Sequence, residues 1–244
     1  MQITELRFLP NGKHSPDSSA FLSLTGNFIT QLWRGGLILD GWQIFISGGE
    51  TIYRVTAQDE DAVDQSQMSY DAKKALEKVL PLCAELPKVI PGDSCFEPSH
   101  CTCEHPSWLL MQSPGLACGS PLACGDCGKN YPLYRTVRNP AEREFDTILE
   151  WQSMRHGILQ QFMSNLDAAT AKLHLSDCVS DLSLAGRQLA GNTELATGIL
   201  TLYPLFSYYE TPPELCPQCG NNWVNEYRDA VPFQRFCREC RLVM

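Results

Sequence analysis

The stretch CPQCGNNWVNEYRDAVPFQRFCREC, residues 216–240, contains two CxxC pairs: Cys216 with Cys219, and Cys237 with Cys240. Two residues between the cysteines of a pair suit a tight turn that directs both thiolates at one metal ion, and Gly220 can take the positive φ of such a turn. The spacing predicts a zinc ribbon in which these four cysteines bind one Zn²⁺. A closed site of this kind stabilises the fold and cannot activate water, because it has no open coordination position.

A second group of cysteines lies in the middle of the chain. Cys124, Cys127 and Gly128 repeat the CxxCG pattern, which predicts a second zinc site. For the other half of this site we predict Cys101 and Cys103. The alternatives are His100, which is spaced as a knuckle with Cys103, and His105, Cys95 and Cys118.

The composition indicates a cytosolic globular protein. The chain has 244 residues, 43% of them hydrophobic, which is ordinary for a soluble protein. It does not begin with a basic segment and a long apolar run, and no stretch approaches the roughly 18 apolar residues that would span a membrane. We therefore expect a cytoplasmic location without a signal peptide. Disulfides are disfavoured there, so clustering among the 12 cysteines favours metal thiolates.

The alternation of apolar and polar residues predicts an α+β fold. Residues 3–9 have a strand pattern, residues 18–36 a helix pattern, and residues 42–57 form two alternating segments around a Gly-Gly pair. Residues 69–83 predict a second helix, and SWLLMQS, residues 107–113, a fourth strand. The order βαββαβ is that of a ferredoxin-like sandwich.

We divide the chain into four segments. Residues 1–94 are an N-terminal α+β domain, and residues 95–138 are a cysteine-rich, zinc-binding knuckle region. Residues 139–210 are mainly helical, and residues 211–244 are the C-terminal zinc ribbon.

The charge pattern bears on nucleic-acid binding. The formal net charge is −9, and the excess acid lies outside the cysteine clusters. A ribbon that binds phosphates needs a surplus of base. Here the bases are matched by acids: Arg228, Arg235, Arg238 and Arg241 against Glu214, Glu226, Asp229 and Glu239. The ribbon's aromatic residues could stack on bases or pack the hairpin, and packing is the favoured reading.

Catalytic motifs are missing from the sequence. It has no His-Glu-x-x-His helix, no P-loop, no GxGxxG and no GxSxG. The segment HCTCEHPS, residues 100–107, lacks the His-x-Glu of a zinc deaminase. We therefore expect a protein that is not an enzyme.

Four segments in order resemble a bacterial family described as zinc-ribbon-containing and as a candidate for nucleic-acid binding. They are SPLACGDCGKNYPLYR (120–135), SLAGRQLA (183–190), CPQCGNNW (216–223) and FCRECRLV (236–243). The resemblance implies the terminal ribbon and the knuckle at Cys124 and Cys127, and it implies no catalytic residue. The resemblance also implies that members of this family are candidates for immunity proteins, which bind bacterial toxins.

An acidic protein is steered toward basic partners. We therefore predict that the chain acts through a basic protein, and in particular that it is an immunity protein inhibiting a cationic toxin that attacks nucleic acid. The predicted contact residues are Asp59, Glu60, Asp61 and Asp64. The alternative is a zinc ribbon that binds RNA or DNA.

Overall fold

The computed structural model describes residues 2–39, 41–94, 100–113, 119–208, 211–226 and 231–244. The chain forms two compact units. Unit 1 comprises residues 1–100, 117–120 and 132–146, and unit 2 comprises residues 101–116, 121–131 and 147–244. Both combine helices with sheets, so the predicted α+β class is confirmed.

Unit 1 contains a four-stranded antiparallel sheet in the order β2-β3-β1-β4. With two helices between the strands, this is the connectivity of the predicted ferredoxin-like sandwich. The strands are β1 Gln2–Phe8, β2 Gln43–Ser47, β3 Glu50–Ala57 and β4 Lys88–Ser94, and the helices are α1 Ser19–Arg34 and α2 Tyr70–Val79.

The core of unit 1 follows from strand alternation. Leu6 and Phe8 point to the same face of β1, and both are buried there with Phe28 and Leu32 of α1. Tyr53 is also fully buried, and its hydroxyl is hydrogen-bonded to that of Thr25 at 2.9 Å. The one polar group of this ring therefore has a partner inside the core.

The fourth strand is not where the sequence pattern placed it. Residues 88–94 form β4 and pair with β1, whereas Trp108–Met111, inside the predicted segment SWLLMQS, forms a strand of unit 2. Pro91 and Gly92 lie inside β4. Both residues are unusual in strand interiors, so the sequence pattern did not predict a strand here. Pro91 is tolerated because β4 lies at an edge of the sheet.

Unit 2 joins three helices to a five-stranded sheet in the order β6-β5-β7-β9-β8. Its helices are α3 Asp146–Met163, α4 Ala168–Ser176 and α5 Asp181–Thr197. Its strands are β5 Trp108–Met111, β6 Leu122–Cys124, β7 Leu200–Pro204, β8 Phe236–Cys237 and β9 Leu242–Val243. The central strand β7 runs parallel to β5 on one side and to β9 on the other. None of the described helices has the length and apolar character needed to cross a membrane.

Gly186 lets α5 pack closely in unit 2. A Cβ at this position would collide with the ring of Tyr203 and lie 2.8 Å from Nε1 of Trp151. That indole N–H is held by the carbonyl oxygen of Leu182 at 3.1 Å, so the ring is not free to move aside. The glycine in the segment SLAGRQLA is therefore a packing residue.

Gly186→Ala should destabilise unit 2 by about 1–3 kcal/mol, because overpacking outweighs the better helix propensity of alanine. The measurement is the midpoint of thermal or urea unfolding. Gly191→Ala in the same helix is the matched control, since its Cβ would make only ordinary contact, 3.7 Å from Cζ of Arg241. Equal effects of the two changes would contradict this account.

Candidate metal centres

The terminal cluster brings together the four cysteines of the two CxxC pairs. The Sγ atoms of Cys216, Cys219, Cys237 and Cys240 all lie within 4.8 Å of one another. The Sγ atoms of Cys219 and Cys237 are 3.7 Å apart. Cys216 and Cys237 are buried and Cys219 is exposed, so the cluster lies just below the surface.

A tight turn holds the first pair of this cluster. The N–H of Cys216 donates to the carbonyl oxygen of Asn221 at 2.8 Å, and the N–H of Gly220 donates to the carbonyl oxygen of Cys216 at 2.9 Å. Gly220 has φ 74°, the left-handed conformation that glycine adopts without a steric penalty. The turn brings Cys216 and Cys219 to the same cluster.

The middle cluster repeats this turn. The N–H of Cys124 donates to the carbonyl oxygen of Lys129 at 2.8 Å, the N–H of Gly128 donates to that of Cys124 at 2.9 Å, and Gly128 has φ 70°. The structure brings the Sγ atoms of Cys101, Cys103, Cys124 and Cys127 within 4.8 Å of one another.

Hydrogen bonds position the upstream half of the middle cluster. The N–H of Cys101 donates to the carbonyl oxygen of Asn130 at 2.7 Å, which ties it to the segment after the CxxC turn. The N–H of Cys103 donates to Sγ of Cys101 at 3.3 Å. Asn130 also accepts at Oδ1 from Nε2 of Gln112 at 3.0 Å. Sequence spacing gave no indication of this role for Asn130.

The turn at residues 124–128 is also packed against β5. A Cβ at Gly125 would overlap the indole of Trp108, and the N–H of Ser107 donates to the Asp126 carboxylate at 2.7 Å. The cluster is therefore fixed to the sheet by packing as well as by its own backbone.

The alternative ligands of the middle cluster are placed differently. The His105 side chain is 90% exposed, beside Glu104. His100 belongs to unit 1, and its buried Nδ1 has no hydrogen-bond partner among the residues that the structure describes. Cys95 and Cys118 lie outside the described residues.

The protein environment disfavours the thiolate at four of the eight cysteines of the two clusters. Burial raises the pKa of Cys101, Cys124 and Cys240, and raises that of Cys237 to about 11. The N–H of Asn221 lowers the pKa of Cys219. At Cys127 burial acts in the opposite direction, but the N–H of Lys129 and the neighbouring thiols hold its pKa below the usual value. A bound cation would supply the positive charge that lets all four sulfurs of a cluster ionise.

The predicted contact residues Asp59, Glu60, Asp61 and Asp64 lie in one acidic loop, and they differ in exposure. Glu60, Asp61 and Asp64 are exposed. Asp59 is only 2% exposed, and its carboxylate accepts from the Tyr134 hydroxyl and from the Arg135 guanidinium, both at 2.7 Å. Burial and the adjacent Asp59 raise the pKa of Tyr134 to about 12. Asp59 therefore joins the loop to residues 134–135 of unit 1 and presents no free charge to solvent.

These features define the class of the molecule: an α+β protein with two four-cysteine clusters that could each hold a metal ion. The profile of the family described as Domain of unknown function (DUF2310) matches residues 103–206. An uncharacterized protein of Haemophilus influenzae is 32% identical over 146 residues, which cover 57% of this chain and 70% of the relative. The chain belongs to this family.

Other comparisons cover less. A second uncharacterized Haemophilus influenzae protein is 32% identical over 146 residues, and the match spans 55% of its length. The solved structure of Rv0793 from Mycobacterium tuberculosis matches 40% of this chain and 98% of its own, with 20% identity and a TM-score of 0.32. An antibiotic biosynthesis monooxygenase matches 39% of this chain and 99% of its own, with 12% identity and a TM-score of 0.32.

Proposed function

We propose that this chain is a non-enzymatic zinc-ribbon protein that acts by binding a basic protein partner. The observation that carries the proposal is that three ribbon side chains suited to nucleic acid, Trp223, Phe233 and Arg241, are engaged inside unit 2. A surface for nucleic acid would need them exposed and uncompensated.

Zinc is the metal that the clusters fit best. Four ligands at the Zn–S distance of about 2.3 Å in a tetrahedron place the sulfur atoms about 3.8 Å apart. The distance between Sγ of Cys219 and Sγ of Cys237 is 3.7 Å. A set of four thiolates selects soft or borderline metals, and four cysteines fill the coordination sphere. Both clusters then serve as structural sites.

The described aromatic residues of the ribbon form a core rather than a stacking platform. Trp223 is 1% exposed, and its indole N–H donates to the carbonyl oxygen of Pro213 at 2.9 Å. The ring of Phe233 packs edge-on against Trp108, with centroids 6.1 Å apart. Base stacking requires open ring faces. Phe236 is partly buried against the same hydrophobic cluster as Phe233, and Tyr227 lies outside the described residues.

One described cation of the ribbon, Arg241, is compensated as well. The guanidinium of Arg241 donates to the Glu194 carboxylate of α5 at 2.7 Å. Glu239 accepts from the side-chain amide of Asn221 at 3.2 Å, and the neighbouring Arg238 is exposed. Phosphate binding gains most of its affinity from cations whose charge is not already neutralised.

Exposed acids support the choice of a basic partner. Glu60, Asp61 and Asp64 share one loop on a chain of net charge −9. Such a surface accelerates encounter with a cationic protein at low salt. The finer proposal is that the partner is a cationic, nucleic-acid-targeting toxin and that the chain is its cytoplasmic immunity protein. Its support is the acidic surface of the loop together with the family resemblance.

The test is purification of the full chain from its own cells after mild crosslinking, with mass spectrometry and the ratio of absorbance at 260 and 280 nm. We expect to capture a basic protein whose association with the chain survives nuclease treatment, and we expect no co-purifying nucleic acid. Capture that nuclease abolishes, or tight RNA or DNA binding with a steep salt dependence, would favour the nucleic-acid function instead.

Neutralising the loop should then slow association with the captured partner. The variant Glu60→Gln, Asp61→Asn, Asp64→Asn should lower the association rate up to about tenfold at low salt, with less effect at high salt. The control Glu77→Gln, Glu104→Gln, Glu214→Gln has the same net charge, with the changes at scattered exposed positions. Equal slowing by both variants would assign the effect to overall charge and remove the loop from the interface.

A further inference from the structure

The outer edge of β2 is open and apolar. All five residues of this strand are exposed, and Ile44 is 52%, Phe45 40% and Ile46 50% accessible. β2 is the terminal strand of its sheet, so within the described part of the chain its outer backbone groups have no partner strand. An edge of this kind pairs readily with another strand.

The opposite edge of the same sheet carries the features that prevent such pairing. β4 contains Lys88 and Pro91, and its register against β1 shifts between Gln2 and Thr4. Lysine, proline and bulges are the usual means of blocking a sheet edge. β2, with the sequence QIFIS, has no charged residue and no proline. The two edges therefore differ in a way that marks β2 as a pairing surface.

The backbone groups that point outward belong to Ile44 and Ile46. Ser47 faces Glu50 across the two-residue turn at Gly48 and Gly49, both of which have positive φ. In such a hairpin the closing pair is hydrogen-bonded, and bonding alternates along the strand. Ser47, Phe45 and Gln43 thus bond inward to β3, and the two isoleucines bond outward.

We propose that two copies of this chain associate through β2, antiparallel and centred on Phe45, to form a continuous eight-stranded sheet. The sequence of β2 is symmetric in character about Phe45: polar, apolar, aromatic, apolar, polar. A two-fold axis at residue 45 places Ile44 opposite Ile46 of the partner subunit in hydrogen-bonded pairs. Phe45 then faces its own copy in a non-hydrogen-bonded pair, where Cα atoms approach to about 4.5 Å.

The face of the sheet that carries Phe45 is preorganised for this contact. The guanidinium of Arg54 lies over the Phe45 ring, 5.0 Å from its centroid, and also donates to Glu5 at 2.8 Å. The ring is therefore held in place by a cation that is itself paired. Because five residues make a small interface, we expect a dissociation constant in the range of about 1–100 µM.

Charge substitution at residue 45 tests both the partner and the register. Phe45→Lys and Phe45→Glu should each be monomeric in sedimentation experiments, with dissociation constants raised at least about tenfold, because like charges face each other across the axis. An equimolar mixture of the two variants should form a heterodimer. Leu195→Lys, at a position 84% exposed on α5, is the control and should dimerise as the wild type does.

Several results would overturn the proposal. A wild-type chain that stays monomeric at about 100 µM has no such interface. If both single variants remain dimeric, the dimer interface does not include residue 45. Two monomeric variants that do not combine on mixing would exclude the register centred on residue 45. Circular dichroism and metal content, unchanged in every variant, establish that the changes act on association and not on folding.

Discussion

Cys219→Ser should lower the zinc content by one ion per chain and unfold the terminal ribbon. Apart from its cysteines, the described part of this segment buries few hydrophobic side chains: Trp223, Val231, Leu242 and Val243. Structural zinc contributes about 10–16 kcal/mol in small zinc-binding peptides, which is comparable to the whole stability of a typical domain. The expected readouts are elemental analysis, rapid proteolysis within residues 211–244, and a lower unfolding temperature.

Cys83→Ser is the matched control for the ribbon. Cys83 is a partly buried thiol of unit 1 that belongs to neither cluster, so the variant should keep two ions and its terminal ribbon. If Cys219→Ser also kept two ions and its proteolysis pattern, Cys219 would not be a ligand.

The second large effect concerns the middle cluster. Cys103→Ser should remove the proposed zinc and expose the β5–β6 hairpin to proteolysis, because a metal bound by this cluster would join residues 101–103 to the turn that follows β6. His105→Ala should keep both ions, since that side chain is 90% exposed. The pair of variants decides between ligand sets that spacing alone left open. Metal loss from His105→Ala with retention in Cys103→Ser would reverse the assignment.

The sequence predicted well those features that depend on residues close together in the chain. The CxxCG turns depend on residues within five positions of each other, so their spacing alone indicates the hydrogen bonds at Gly128 and Gly220. The first three strands and the two helices of unit 1 could be predicted for a similar reason, because each has its own periodic pattern of apolar residues.

Features that depend on contacts between residues far apart in the sequence could not be predicted. Nothing in β5 indicates that it pairs with β7, because a strand sequence does not specify its neighbour. Asp59 stands in an acidic run typical of a solvated loop, yet Tyr134 and Arg135 pair with it in the interior. The true β4 was obscured by Pro91, which only an edge strand tolerates.

The placement of β7 between β5 and β9 has a consequence for the order of folding. Ribosomal synthesis delivers residues 101–127 long before residues 200–204, so the middle cluster can close while its sheet still lacks a central strand. Contacts distant in sequence form slowly, and half-built sheets with open edges aggregate. An early metal clamp would keep β5 and β6 paired in the nascent chain, with one edge exposed, until β7 arrives and covers it.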